Sequence, residues 1–530
     1  MKHWVSRLGL AALCTAIALP AGAVMEPFTF DPEKMPETVG TPRDPGEHQA
    51  AMAALQKGLA ARQVARGLRS EAVVSVSAAE RKSIDEPSAT GGKYQVGVNK
   101  SLGATVSFAG AGNLGGRTRD LALGSMRGDG NGGFVWTAAL RSPGAAGLRA
   151  HLTGLDLPEG AGLFVYNEKG QAFGPYTGRG PLGDGEVFTN TIFGEQLLLQ
   201  LEAPGGAGVP SFRVVELGVL GQRFLLPSYN PAGMFDAGNL AALSSAEKAF
   251  CSYNASCVVN AGCQSTGAVS TAKDAVATML FSSGGGQYIC TGQLIADTVS
   301  TSVIPYFLTA HHCISSSGEA SSLETYFDYQ TTCSSPNCTQ PYNNTGETVG
   351  ATIKATGSSS DYSLLQLSST PTTPDGVAAY LGWLSTAVAN TNNYGLFRVS
   401  HPKGAPQAYS EGVVDTNKPT CRTLSRGSFI YSRDTLGATE GGSSGSAVVN
   451  SSGQVVGQLY GACGTNLNDV CDAANNGTVD GAFAATYPNV SAFLNPGGGG
   501  SCTPVGGSCT SGSQCCSGQC KGKPGSQTCK

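Results

Sequence analysis

Charge is scarce in this chain: of 530 residues only 13% are Asp, Glu, Lys or Arg, and the formal net charge is −4. No basic stripe with interleaved aromatics occurs, which argues against nucleic acid as a partner. Beyond the first 23 positions no apolar run approaches the ~20 residues needed to cross a bilayer, so no membrane span is expected. Cysteine is absent from Val24 to Phe250, and histidine is absent after His401. Glycine, by contrast, is abundant at 74 residues, which points to many turns and short strands rather than long helices. The length exceeds what one compact core holds, so two or more domains are expected.

The amino terminus places Lys2 and Arg7 before the apolar run Leu8 to Leu19, followed by the small residues Ala21, Gly22 and Ala23. That order is expected of a secretory signal peptide over 1–23, and the run is too short for a membrane anchor. Of the 17 cysteines, Cys14 leaves with the signal, ten lie between Cys251 and Cys471, and six between Cys502 and Cys529. Even counts in an exported chain favour disulfides over metal ligands or redox thiols.

The cysteine map divides the precursor into unlike parts. Residues 24–248 open on a Pro-rich, charged stretch. An alanine-rich segment from Glu47 to Gln63 could be helical, with Met52, Leu55 and Leu59 on one face. From about residue 93, strands such as FVWTAAL and FRVVELGVL alternate with glycine-rich turns, which predicts a β-sandwich propeptide that assists folding and blocks the enzyme. Residues 226–248 form an expected linker. Residues 249–496 carry repeated short apolar strands, expected to form an all-β barrel domain. A glycine-rich tether at 497–501 leads to residues 502–530, where six cysteines spaced C-x6-C-x5-CC-x3-C-x8-C must staple a segment with almost no apolar residues.

Two motifs carry chemistry in 249–496: TAHHC at 309–313, after the apolar run Ile304 to Leu308, and GGSSGSAVV at 441–449. An amide-cleaving serine needs a base, an acid that holds the base in one tautomer, and backbone N–H donors for the oxyanion. Read as G-x-S-x-G, residues 441–445 would make Ser443 the nucleophile of an α/β-hydrolase, which requires a later histidine. None follows His401. In the order His, Asp, Ser, the choice falls on His312 as base and Ser444 as nucleophile. Asp361 is the acid, since among the intervening aspartates it alone opens an apolar strand, DYSLLQL. The oxyanion donors would be the amides of Gly442 and Ser444. His311 should face the other side of an extended chain.

These motifs, with C-x5-C at Cys251 and Cys257, CTG at 290–292, DYQTTC at 328–333, SHP at 400–402 and GQLYG at 457–461, resemble the bacterial lysyl endopeptidases, a group of trypsin-like proteases. The resemblance implies a chymotrypsin-like double β-barrel and serine endopeptidase activity on proteins or peptides. It also implies disulfides Cys251–Cys463, Cys257–Cys333 and Cys290–Cys313, leaving Cys263–Cys338 and Cys421–Cys471 as the expected remainder. The tail resembles knottin modules; an inert or stabilising appendage and a module that binds an extracellular target are both open. A zinc site built from His311, His312 and Cys313 is disfavoured, because consecutive strand residues face opposite ways and the resemblance commits Cys313 to a disulfide, so no metal or other cofactor is expected.

In this fold the primary pocket is walled by Ala438 to Gly441, by Leu459 to Gly461 and by the segment around Gly481, so Thr439, Tyr460 and Gly461 are expected to touch substrate. Lysyl endopeptidases place an aspartate shortly before a glycine in the last segment, and Asp480 is the candidate here, though its spacing to Gly481 is shorter than in that family. A carboxylate at the pocket floor would select Lys or Arg at P1, the residue before the scissile bond; without it the pocket would suit small or apolar residues. The residue before the nucleophile is Ser443 rather than Asp, so activation by an N-terminal ammonium is not expected, and control by the propeptide is. A non-catalytic binding protein on a protease scaffold is the remaining alternative, which intact triad residues disfavour.

Overall fold

The computed structural model describes residues 23–26, 28–29, 45–64, 71–85, 93–221, 250–299, 304–334, 338, 346–371 and 379–496, apart from 252, 266 and 422, and in the tail 508–509, 520–523 and 527–529. The expected signal up to Gly22, the linker 226–248, the tether 497–501 and most of the six-cysteine tail lie outside the described residues.

The helix in the first part is α1 (Pro45–Arg62). The sandwich that follows is built from β1 (Tyr94–Ser107), β2 (Phe134–Arg141), β3 (Gly147–Asp156), β4 (Gly162–Tyr166), β5 (Gln196–Ala203) and β6 (Ser211–Leu220). One sheet runs β4-β5-β2, the other β3-β6-β1. Their facing side chains share one core, centred on Phe108, Phe134, Trp136 and Phe212, whose ring centroids lie 5.5–5.7 Å apart. Leu59 of α1 packs with Tyr166 and Leu198 on the outer face of the first sheet, so the middle of β5 is buried on both faces.

The first barrel comprises β7 (Val276–Ser283), β8 (Gly286–Leu294), β9 (Tyr306–Thr309), β10 (Glu324–Phe327), β11 (Gly346–Val349), β12 (Ala351–Gly357) and β13 (Tyr362–Leu367). Its pairing order is β11-β10-β7-β8-β9-β13-β12. Gly350, at φ 85°, turns β11 into β12 and so brings the ends of this order together; a side chain there would be strained.

The second barrel is a closed ring of β14 (Gly395–Ser400), β15 (Ala408–Val414), β16 (Phe429–Leu436), β17 (Ala447–Val449), β18 (Gln454–Gly464) and β19 (Asn476–Ala482). Each strand pairs with the next in the order β14-β15-β16-β19-β18-β17, and β17 returns to β14. Helix α2 (Phe483–Leu494) buries Phe483, Val490 and Leu494 in the core that spans both barrels. The chain is thus all-β, a double barrel preceded by a sandwich.

The sandwich and the first barrel share a sheet. Tyr94, Gln95, Gly97 and Val98 of β1 pair antiparallel with Ile289, Tyr288, Gln287 and Gly286 of β8. Beneath this seam Arg149 and Glu324, at 0% and 1% side-chain exposure, form an ion pair at 3.2 Å. Glu324 also accepts from the amide and hydroxyl of Thr191, and Arg149 donates to the Ser322 carbonyl. A buried charge pair survives only where its remaining valences are met, and here both parts supply partners.

The disulfides correct the expected pairing. Cys290–Cys313 is present as the resemblance implied, but Cys251 joins Cys338, Cys257 joins Cys471, Cys263 joins Cys333 and Cys421 joins Cys463. Cys251–Cys463, Cys257–Cys333, Cys263–Cys338 and Cys421–Cys471 are therefore replaced. The physical reason is reach, since each observed pair has its Cα atoms 4.6–6.4 Å apart, within the span a disulfide allows. In the tail, Cys509 joins Cys520, and Cys520–Lys521 pairs with Thr528–Cys529.

Candidate active site

The end of β9 and the start of β13 lie side by side, which sets His312 beside Asp361. The Asp361 carboxylate accepts from the His312 amide at 2.9 Å and lies 2.7 Å from its Nδ1. Asp361 is buried and sits at φ 52°, a left-handed conformation that aspartate tolerates better than most residues. Two contacts hold it there. Its carbonyl accepts from the His311 amide at 3.1 Å and from Gln458 Nε2 of β18 at 3.1 Å. A Cβ on Gly481 would overlap the neighbouring Ser360 carbonyl, so the second barrel abuts this turn closely. His311 is directed elsewhere, with Nδ1 2.8 Å from Thr356 Oγ1.

Ser444 lies in a tight turn between β16 and β17. Its carbonyl accepts from Thr291 of β8 at 2.8 Å, and Thr291 follows Cys290, whose Sγ lies within 4.8 Å of a His312 ring nitrogen. The turn brings the backbone so close to the first barrel that Gly445, at φ 84°, has no room for a Cβ against Thr309. The neighbouring Ser443 points inward, fully buried, and its Oγ accepts from Ser400 Oγ at 3.1 Å.

Two carbonyls of this turn are engaged by neighbouring donors. Gly441 C=O accepts from the Lys403 amide at 2.6 Å, and Gly442 C=O from Thr291 Oγ1 at 2.8 Å. The amides of Gly442 and Ser444 then have no acceptor among the described residues, and His312 Nε2, also buried, has no partner. Two amide donors and one ring nitrogen are left for a ligand; such groups can stabilise an oxyanion and take up a proton.

Lys403 does more than hold Gly441. Its Nζ makes an ion pair with Glu440 Oε1 at 2.7 Å and donates to the Tyr253 carbonyl at 2.9 Å. Glu440 also accepts from Asn254 Nδ2 at 2.7 Å and the Ala255 amide at 3.3 Å. The segment after Phe250 is thereby tied to the turn through Glu440. Sequence reasoning noted that no aspartate precedes Ser444, but missed Lys403 and Glu440. The positive φ of 53° at Lys403 has no signature in SHPKGA. His401 is fully buried; burial pulls its pKa down to about 4, and its Nδ1 donates to the Ala405 carbonyl at 2.9 Å.

The pocket residues need one correction. Asp480 is fully buried and tied by Oδ1 to Arg398 Nη2 at 2.6 Å, while Arg398 Nη1 donates to the Ser446 carbonyl at 2.8 Å. Its charge is matched within the second barrel through Oδ1, while Oδ2 is buried with no hydrogen-bond partner among the described residues. Next to the first of the expected walls, a small cavity is lined by Thr439, Ala462, Leu467, Val470, Ala473, Asn476, Gly477 and Thr478, with Asp434 as its acid. Both oxygens of Asp434 accept from Thr478 Oγ1 at 3.0 Å, and among the described residues it has no ion-pair partner. Burial raises its pKa to about 6. The Tyr460 ring stands edge-on to His312 at 5.8 Å, and Gly461 follows it on β18.

Ligand atoms of Cys290, His312 and Cys313 lie within 4.8 Å of one another, but the two sulfurs are bonded to each other and offer no thiolate to a metal. No helix among the described residues is long and apolar enough to cross a membrane.

Residues 251–476 match the sequence profile of the lysyl endopeptidase C-terminal domain. A lysyl endopeptidase of Pseudomonas aeruginosa is 33% identical over 259 residues, which cover 46% of this chain and 52% of that protein. The chain therefore spans about half the length of the curated relative it matches. Among solved structures, the HtrA-type protease AlgW with a tripeptide aligns with a TM-score of 0.30 at 15% identity, covering 43% of this chain and 63% of that one. The active form of the Rv3671c protease from M. tuberculosis aligns with a TM-score of 0.28 at 16% identity, covering 47% and 88%. This part of the chain is lysyl endopeptidase-like.

Proposed function

We propose that the protein is a secreted serine endopeptidase made as a precursor, with residues 24–248 as propeptide, 249–496 as protease and 502–530 as a knottin-like tail. The observation that carries the reading is the unpartnered His312 Nε2, fixed from behind by Asp361, in a site with two unpartnered amides beside Ser444. In this reading His312 Nε2 takes the Ser444 hydroxyl proton as Oγ attacks the scissile carbonyl. The amides of Gly442 and Ser444 hold the oxyanion, and His312 returns the proton to the leaving amine. Asp361 keeps the Nδ1 proton in place, so that Nε2 is free to act as base. The resulting acyl-enzyme is released by water along the same path.

For specificity we favour a basic P1 residue, with Asp434 in the role first assigned to Asp480. A half-buried carboxylate without an ion-pair partner among the described residues, in a cavity that Thr439 of the first pocket segment lines, is what a Lys or Arg side chain would neutralise. The even cysteine counts and the amino-terminal segment support export, and release after Lys248 would fit a basic preference.

The test is a covalent serine-hydrolase probe. It should label the processed protein and leave Ser444→Ala unlabelled; absence of labelling, or equal labelling of both, refutes the enzyme.

A further inference from the structure

We propose that the first residues of β1 occupy the strand edge on which a substrate lies with the residues that follow its scissile bond. On this view the sandwich inhibits the enzyme by strand addition and leaves the Asp434 cavity open. The proposal rests on the serine endopeptidase reading and adds the mode of its control.

The argument begins with the direction of β8. At Thr291 the strand is bonded to the Ser444 carbonyl, and Cys290 is bonded to the residue after His312. From there, traced towards its amino end, β8 leads away from the nucleophile through Ile289, Tyr288, Gln287 and Gly286. Tyr94 faces Ile289 and Val98 faces Gly286, so β1 starts beside the nucleophile and runs outward in the amino-to-carboxyl direction. A peptide in that orientation has its amino-terminal end at the serine, which is the direction of the half of a substrate that becomes the leaving amine. An unpaired strand edge takes extended peptides by backbone hydrogen bonding.

Side chains extend the contact to the oxyanion turn itself. Tyr94 is 4% exposed, and a Cβ on Gly441 would lie 2.7 Å from its Cδ2. Ile289, its partner across the seam, stands 3.3 Å from the corresponding position of Gly442. Lys93 pairs with Glu319 and lies 5.6 Å from the Phe281 ring centroid, while Asn99 bonds to both Ser282 and Gln287 at 2.6 Å. None of the residues lining the Asp434 cavity comes from the sandwich. Among the described residues the sandwich thus meets the leaving-group side and not the Asp434 cavity, and the turn that holds the oxyanion donors is already shaped in the uncut chain.

The test uses the full-length chain kept in one piece by Arg223→Gln and Lys248→Gln, compared with the processed enzyme. Two substrates share one P1 residue: a single-residue nitrophenyl ester, and a peptide extending four residues beyond the scissile bond. The ester should turn over at nearly the processed rate. The peptide should be suppressed on the order of 100-fold, as expected when a tethered competitor at millimolar effective concentration binds with ten-micromolar affinity. Tyr94→Ala in the same chain should restore peptide cleavage and leave ester turnover unchanged. Equal suppression of both substrates, or of neither, overturns the proposal. Failure of the covalent probe to label Ser444 in both forms would instead sink the serine endopeptidase reading.

Discussion

Removing the charge of Asp480 should destabilise the protein without redirecting its specificity. Asp480 is 0% exposed and Arg398 4%, and their 2.6 Å contact lies inside the second barrel, where β19 pairs with both β16 and β18. Asp480→Asn keeps the shape of the side chain but leaves a guanidinium buried among neutral partners only. Breaking one side of such a pair costs roughly 3–5 kcal/mol. Against a domain stability of about 5–15 kcal/mol, that is enough to move a urea midpoint by one molar or more at an m-value of ~2 kcal/mol/M. The measurement is urea unfolding followed by tryptophan fluorescence, in an inactive Ser444→Ala background so that self-digestion does not intrude. Replacing the pair together, Asp480→Leu with Arg398→Met, should recover most of the loss, because neither charge is then left alone. The reasoning fails if Asp480→Asn unfolds at the wild-type midpoint, or if the active version of that variant loses preference for basic P1 residues while its stability is unchanged.

Asp434→Asn should instead lower kcat/KM for lysyl substrates on the order of 100-fold relative to alanyl ones, the scale set by leaving a charged ligand group unpaired; an unchanged ratio in a P1 library refutes the role. In the wild type the same ratio should fall as pH drops through about 6, where Asp434 takes up its proton; protonations that affect both substrates equally cancel in the ratio. The sign for stability is opposite. A folded pKa raised above the ordinary 3.8 gives stability that is present at low pH and lost as pH rises through about 6, so Asp434→Asn should raise the unfolding midpoint at neutral pH. Lys403→Met should reduce kcat by ~10-fold with little change in KM, less than the 10²–10³ of losing an oxyanion donor outright, and Lys403→Arg should recover part of it; an effect confined to KM counts against a positioning role. Gly445→Ala, at φ 84° against Thr309, should give protein that the covalent probe does not label.

How much of this could be read beforehand depends on the range of the interaction involved. His312, Asp361 and Ser444 were accessible because each sits at the end or start of a short apolar strand whose motif is local, and chain order alone removed the Ser443 alternative. The all-β class followed from glycine turns, of which Gly284 and Gly285, both at positive φ in the β7–β8 hairpin, are typical. Asp480 misled because its partner, Arg398, is 82 residues away and carries no motif. Asp434, for which a pocket role is proposed, carries no local signal, because it stands in the exposed half of the strand FIYSRDTL, which reads as ordinary alternation; only the fold turns it towards Thr478. Ten cysteines admit many pairings, and spacing holds no information on which Cα atoms end within reach. The shared sheet was hidden for a related reason. The cysteine map breaks at Phe250, whereas the hydrogen bonds of β1 and β8 cross that break.

That crossing bears on how the molecule is assembled. β1 leaves the ribosome about 190 residues before the strand it pairs with, and contacts so distant along the chain are slow to form because loop closure must come before any gain. The sandwich has its own core, so it can be complete while the barrel residues are still being made. It then presents β1 as a finished edge on which β8, and with it the β7–β8 hairpin, can add. If the sandwich is cut away as proposed, a barrel chain unfolded afterwards has to fold without that edge, and its return to the native state is set by a search that the full-length chain does not have to make.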